Sequence, residues 1–302
     1  MVQTRIPRRT VLLGLGALAL GVLPGVVSAN ARPRWRIVTL DGSLLETVCL
    51  LGGGDDLVGA DNRDRYPRSM EALPRIGDPH AVSVEGILSL APDVVLRTTG
   101  RGPDDRMRQL EAAGIEVVTL PADYTLENVI HKVRVIAELL DRQATGARYI
   151  EKLETNIARL ERVRAGLTDM PTVTFVLDID RGSLLAAGEG TPAAAMIRLA
   201  EGRPVPEGFS GFRRISTEVL MQQRPDYVLM GDHTVRRLGG RAAVLATAPF
   251  RMAGIEDTQL IDIEVVSLLG FSPRATHALA ELMAALHPQL ERPALEPIEI
   301  PG

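Results

Sequence analysis

Ser83–Arg97 reads SVEGILSLAPDVVLR, and Ser216–Met230 reads STEVLMQQRPDYVLM. Aligned without a gap, the two stretches share Ser83/Ser216, Glu85/Glu218, Pro92/Pro225, Asp93/Asp226, Val95/Val228 and Leu96/Leu229. Each spells one physical unit. A serine can cap a helix, a glutamate stands in the first turn where the helix dipole favours an anion, Pro-Asp ends the helix, and V-x-L has the composition of a buried strand. A helix–turn–strand unit that occurs twice predicts two similar α/β halves. Glu85 and Glu218 then have two readings that spacing does not separate: ordinary residues complementing a helix dipole, or equivalent docking points for one partner.

Working outward, RIVTL (36–40) has the pattern of a buried strand, Ser43 is placed to cap a helix through Leu51, and Gly52-Gly53-Gly54 ends it. LVGA (57–60), the first repeat unit, a helix from Pro103 to Ala113 and IEVVTL (115–120) continue a parallel βα series. From Leu126 to Leu167 apolar residues recur at helical spacing with few breakers, and Asp141 divides the stretch into two helices. Strand VTFVL (173–177) restarts the pattern, followed by a short strand SLLAAG, a helix after Thr191-Pro192 and the second repeat unit. A helix near 242–247, strand TQLIDI (258–263) and a terminal helix from Pro273 to Leu286 complete it. The expected fold is α/β: two Rossmann-like lobes with parallel sheets, joined by a long connecting helix, with a ligand cleft between the lobes. The expected boundaries are 34–140 and 171–287 for the lobes and 141–168 for the connecting helix. A tail over 288–302, rich in Pro and Glu, is expected to be extended or disordered.

Residues 1–31 read as a targeting segment. Arg8-Arg9 precede a Gly-interrupted apolar stretch, and Ser28-Ala29-Asn30-Ala31 offers small-residue cleavage sites. The paired arginines suggest the twin-arginine export route, hence a signal peptide and a soluble protein in the periplasm. No Cys follows the apolar stretch to take a lipid, and Cys49, the only cysteine, excludes an internal disulfide. Removing the segment takes away Arg5, Arg8 and Arg9 and no acid, which deepens a formal charge of −4. An acidic chain without RNA-binding or zinc-finger spacing gives nucleic acid no electrostatic footprint.

Enzyme signatures fail when tested. Gly14 and Gly16 fall inside the apolar leader, and there is no G-K-[ST] loop, no H-E-x-x-H and no G-x-S-x-G around Ser210. His80, His131, His233, His277 and His287 are scattered without the close pairs of a dedicated metal site. The loop DNRDRYPRSMEALPRIGD (61–78) is different: Arg63, Arg65, Arg68 and Arg75 surround Tyr66-Pro67 at the carboxyl end of a parallel strand, the edge where α/β proteins bind ligands. Pro67 is expected to hold Tyr66 extended with its phenol outward. Cations beside a phenol favour the phenolate, a hard-oxygen ligand suited to ferric iron. The other reading is a surface tyrosine in a solvated basic turn.

The order of motifs resembles the periplasmic substrate-binding proteins of bacterial ABC importers, specifically the haem-binding proteins of the cobalamin and ferric-siderophore superfamily. The residues carrying the resemblance are RIVTLDGSLLETVCLLGGGDDLVGADNRDRYP, LPRIGD, SVEGILSLAPDVVL, LEAAGIEVV, AAGEGTPAAAMIRLAEG, GFSGFRRISTEVL, RPDYVLM and LLGFSPRATHALAELMAALHP, which span nearly the whole chain beyond the leader. The resemblance implies that Tyr66 is the axial ligand of haem iron, that Arg68 donates to its phenolate, and that Glu85 and Glu218 meet arginines of the membrane permease. Arg65, Arg101 and Arg237 are the candidates to pair with the haem propionates at the cleft rim. Where some relatives carry a His-Gly-Gly turn this chain reads LDIDRGSL, so a second haem ligated from that turn is not expected. Phe212 stands where a tyrosine is common.

The resulting expectation is a non-enzymatic, monomeric binding protein that captures haem as cargo. It delivers that cargo to an inner-membrane permease dimer with its ATPase, touching the membrane complex only peripherally. The rivals are a ferric-siderophore or cobalamin carrier, a metal-dependent periplasmic enzyme, and a sensor domain.

Overall fold

The computed structural model describes residues 35–62, 66–78, 80–180 and 182–301. The leader and Arg65 lie outside the described residues. The first half runs β1 (Ile37–Thr39), α1 (Gly42–Leu50), β2 (Leu57–Ala60), α2 (Val84–Ser89), β3 (Val94–Thr98), α3 (Asp104–Ala112) and β4 (Glu116–Leu120). Two long helices follow, α4 (Leu126–Leu139) and α5 (Gln143–Arg164), separated at Asp141, whose φ is +55°. The second half begins β5 (Thr172–Asp180), β6 (Ser183–Ala187), α6 (Pro192–Leu199), β7 (Arg203–Pro204), β8 (Phe212–Ile215), α7 (Thr217–Gln223) and β9 (Tyr227–Gly231). It ends α8 (Asp232–Arg237), α9 (Arg241–Leu245), α10 (Ala248–Ala253), β10 (Leu260–Ile263), α11 (Val265–Gly270) and α12 (Ala275–Leu286).

The repeat has a structural meaning. In each copy the short helix ends on a left-handed residue at the same register, Ala91 with φ +44° and Arg224 with φ +42°, and the chain turns at Pro into a central strand. The following aspartate then receives the backbone N–H of the residue that opens the neighbouring strand. Arg36 N–H donates to Asp93 at 2.9 Å and Thr172 N–H to Asp226 at 2.7 Å. These contacts join β3 to β1 and β9 to β5, both parallel pairs. The sheet orders follow suit: β2-β1-β3-β4 in the first half, and β8-β6-β5-β9-β10 in the second, with β7 beside β5.

Two expectations are corrected here. The second sheet is mixed, because β6 runs antiparallel to both β5 and β8. Only residues 181 and 182 separate β5 from β6, far too few for a parallel crossover, and Gly182 supplies the positive φ (+80°) that such a tight hairpin uses. Nor does Ser43 cap α1. Asp41 does so, accepting from the Ser43 N–H at 2.9 Å, while the Ser43 hydroxyl turns to the same carboxylate at 2.5 Å.

Strand alternation divides the core into three. Ile37, Val94, Leu96, Val173, Phe175 and Leu229 face one shared apolar cluster with residues of α1, α4, α5, α6 and α12. The opposite sheet faces bury Val38 and Val95 in one satellite core, and Val176, Val228 and Met230 in another. The halves are therefore joined by a continuous core as well as by α5, whose 22 residues span about 33 Å. Close-packed interiors deform little, so this junction favours a stiff relation between the lobes.

The tail is extended but docked. Asn156, fully buried on α5, donates to the Glu296 carbonyl at 3.0 Å and accepts the Glu296 N–H at 2.7 Å. Lys152 and Arg159 donate to the carbonyls of Pro297 and Ala294, and Ile298 is buried against the shared core. The Pro/Glu composition reads as disorder because it hides both this backbone ladder and the apolar spacing of Leu295, Ile298 and Ile300.

Candidate functional site

The strands deliver the site residues at their carboxyl ends. Tyr66 follows β2, Arg101 follows β3, Arg237 ends the helix after β9, and Glu264 follows β10. Tyr66 stacks against a residue of the second half. Its half-buried ring lies under the guanidinium of Arg274, with Cζ 3.7 Å from the ring centroid. Arg274 precedes α12 in the second half and reaches back to the first, donating Nε and Nη2 to the two oxygens of Glu46 on α1 at 2.9 and 2.8 Å. Its Nη1 donates to Glu264 at 2.7 Å.

Glu46 is only 1% exposed, and burial pushes its carboxyl up, with the Arg274 bonds only partly offsetting this. Burial also works against the charge of Arg274, but the bonds and charges of Glu46, then Glu264 and Tyr66, outweigh it and hold the guanidinium above its ordinary range. The bidentate fork onto the carboxylate keeps the guanidinium charged. Cys49, one turn from Glu46, is buried, and desolvation and then the Glu46 charge push its thiol to about 12, which removes it from thiolate chemistry.

A second polar cluster surrounds the start of α1. Asp41 accepts from Thr98 at 2.8 Å and meets Arg101 Nε at 3.8 Å. Buried Lys132 donates to the Ser43 hydroxyl at 2.8 Å and to the Phe271 carbonyl at 3.4 Å, and burial lowers its pKa. Phe271 packs on Tyr124 with centroids 5.5 Å apart. Lys132 and Glu46 thus fix the segment 271–274 to two first-half helices.

Among the expected site residues that are described, Tyr66 lies at the junction of the halves, against Arg274. Arg68 is exposed and opens a single 3-10 turn, Arg68–Met70. Arg101 is already paired with Asp41, and Arg237 with Asp178. Phe212, on the edge strand β8, is 36% exposed and meets Phe175 edge-on at 6.4 Å. Glu85 and Glu218 are both exposed in the first turns of α2 and α7. The Ser83 hydroxyl accepts from the Gly86 N–H at 3.0 Å as expected. Ser216 does not cap; its hydroxyl donates to Glu218, holding that carboxyl below the usual range.

Sequence reasoning missed Arg274, Glu46 and Glu264. The signal was present in FSPRATHALAE, where an arginine beside a helix start is placed against the dipole and so needs anionic partners. A hollow of about 540 Å³ lies elsewhere, between Arg159, Arg162 and Val163 of α5 and Pro293-Ala294 of the tail. It lacks converging polar chemistry, and Arg159 is already bound to Glu296, so the Tyr66 junction is the better site. Among the described residues no three His, Cys, Asp or Glu side chains converge on a possible metal position, and no helix is long and apolar enough to cross a membrane.

The chain is similar to several solved and curated proteins. The periplasmic heme-binding protein BhuT, solved in complex with two hemes, is 34% identical, with a TM-score of 0.77 over 83% of this chain and 97% of that one. The periplasmic heme-binding protein RhuT from Roseiflexus sp. RS-1, in apo form, is 29% identical, with a TM-score of 0.74 over 85% and 99%. A cobalamin-binding protein of Halobacterium salinarum is 26% identical over 274 residues, 86% of this chain and 71% of its own. Residues 37–262 match the periplasmic binding protein family, whose members bind substrates for transporters and are not enzymes. The chain belongs to the periplasmic binding protein family.

Proposed function

We infer that this protein is exported to the periplasm, captures ferric haem between its lobes and delivers it to an ABC importer. The observation that carries the reading is Tyr66 at the junction of the halves with a fixed cation on its ring face. A phenolate is a recognised haem ligand. Haem also needs apolar cover and cations for its propionates. Exposed Phe212 can lie on a porphyrin face, and Arg68, Arg101 and Arg237 can turn from solvent or from the part-buried carboxylates of Asp41 and Asp178 to the propionates. Arg65, in the same loop, is assigned to this group by its place in the sequence. The protein works as a monomer, and Glu85 and Glu218 dock it on the permease.

The second reading is a cobalamin carrier, favoured by the similarity to the cobalamin-binding protein of Halobacterium salinarum. Titration of the purified protein with haem and, separately, with cobalamin distinguishes the two. Haem is expected to give a saturable Soret change with a tyrosinate-to-iron charge-transfer band, and cobalamin no saturable binding. Saturable cobalamin binding with no specific haem spectrum reverses the assignment.

A further inference from the structure

All three nitrogens of the Arg274 guanidinium are committed in its plane, two to Glu46 and one to Glu264. These bonds use three of its five N–H donors and fix its orientation, and one of its flat faces covers Tyr66. Three residues earlier, the Lys132 bond to the Phe271 carbonyl pins the same segment. The cation is therefore built in from both halves of the chain, which is more than packing a tyrosine requires.

We propose that Arg274 is a positioning residue for the haem ligand Tyr66, and that Glu46 and Glu264 act through it to set the ligand's donor strength. This rests on Tyr66 being the iron ligand. A cation over the ring stabilises its electron density, so the phenolate gives less to iron. A weaker anionic donor favours the ferric state less, which raises the reduction potential of the bound haem. The clamp also fixes the ring face, so that iron meets an oxygen already oriented by the fold.

The test uses the full chain loaded with ferric haem and reads the charge-transfer band and the reduction potential. The double variant E46Q/R274Q removes the cation without leaving a buried carboxylate alone, and an amide pair retains hydrogen bonding. It is expected to keep tyrosinate ligation, shift the band to lower energy and make the potential more negative. R274K keeps the charge but loses the planar stack and the fork, and is expected to shift both readings part of the way. If the double variant does not fold, R274K decides alone. Unchanged band and potential in the folded variants overturn the proposal, provided wild type shows the band and Tyr66→Phe loses it. A wild type without the band overturns the ligand reading itself.

Discussion

Asn156→Ala tests whether the tail is a structural strap. The side chain makes two reciprocal bonds with the Glu296 backbone, at 3.0 and 2.7 Å, from a fully buried position on α5. Each bond contributes about 1 kcal/mol net, and the backbone groups left behind face a helix surface, so the loss is about 2–4 kcal/mol. For a chain of this size each kcal/mol moves the midpoint by about 2–4 °C, which predicts a fall of about 4–16 °C in calorimetry. Asn156→Asp keeps the acceptor but sets a buried anion against a carbonyl, and is expected to cost at least as much. Glu296→Ala is the control: it removes only the partly exposed pair with Arg159 and leaves the backbone bonds, so it costs less than about 1 kcal/mol. A melting point for Asn156→Ala within about 1 °C of wild type, or a Glu296→Ala loss of equal size, refutes the strap.

Asp226→Asn tests the repeat's aspartate. The Thr172 hydroxyl and then its backbone N–H hold the Asp226 carboxyl below its usual range. That contribution is present above the unfolded value of about 3.9 and is lost as pH falls through the lowered folded value. The variant is therefore expected to be less stable than wild type at pH 7, by no more than about 1 kcal/mol because the group is largely exposed, with the gap closing below about pH 4 in urea melts. A gap that does not change with pH contradicts the linkage. Glu85→Ala/Glu218→Ala is expected to reduce haem transport through a reconstituted importer while haem affinity and melting stay at wild-type values, and each single change to reduce it less. Normal transport by the double variant returns both glutamates to a local role at helix starts.

The fold was legible where a local rule and a long-range need coincide. SVEGILSLAPDVVLR and its copy revealed two halves because the helix stop, the aspartate and the strand start are all local. What β6 pairs with, and in which direction, depends on connection length, and reading SLLAAG as a strand without counting residues 181–182 concealed the mixed sheet. α8, α10 and α11 are six residues each, too short for periodicity to show. At the site, Tyr66 was legible because four arginines and a proline crowd around it. Its real neighbour, Arg274, lies more than two hundred residues away, and no spacing rule links it to Glu46 on α1. Ser43 and Ser216 show the opposite limit: both have the right residue type for a cap, but a nearby carboxylate, Asp41 or Glu218, takes the hydroxyl.

The central claim is that Tyr66 binds haem iron, and the visible spectrum of Tyr66→Phe titrated with ferric haem tests it most directly. Phenylalanine keeps the ring under Arg274, as the 3.7 Å stack requires, and deletes only the oxygen. The account predicts a folded variant with wild-type melting, no tyrosinate-to-iron charge-transfer band and greatly weakened haem binding. A Tyr66→Phe spectrum and titration indistinguishable from wild type would contradict it.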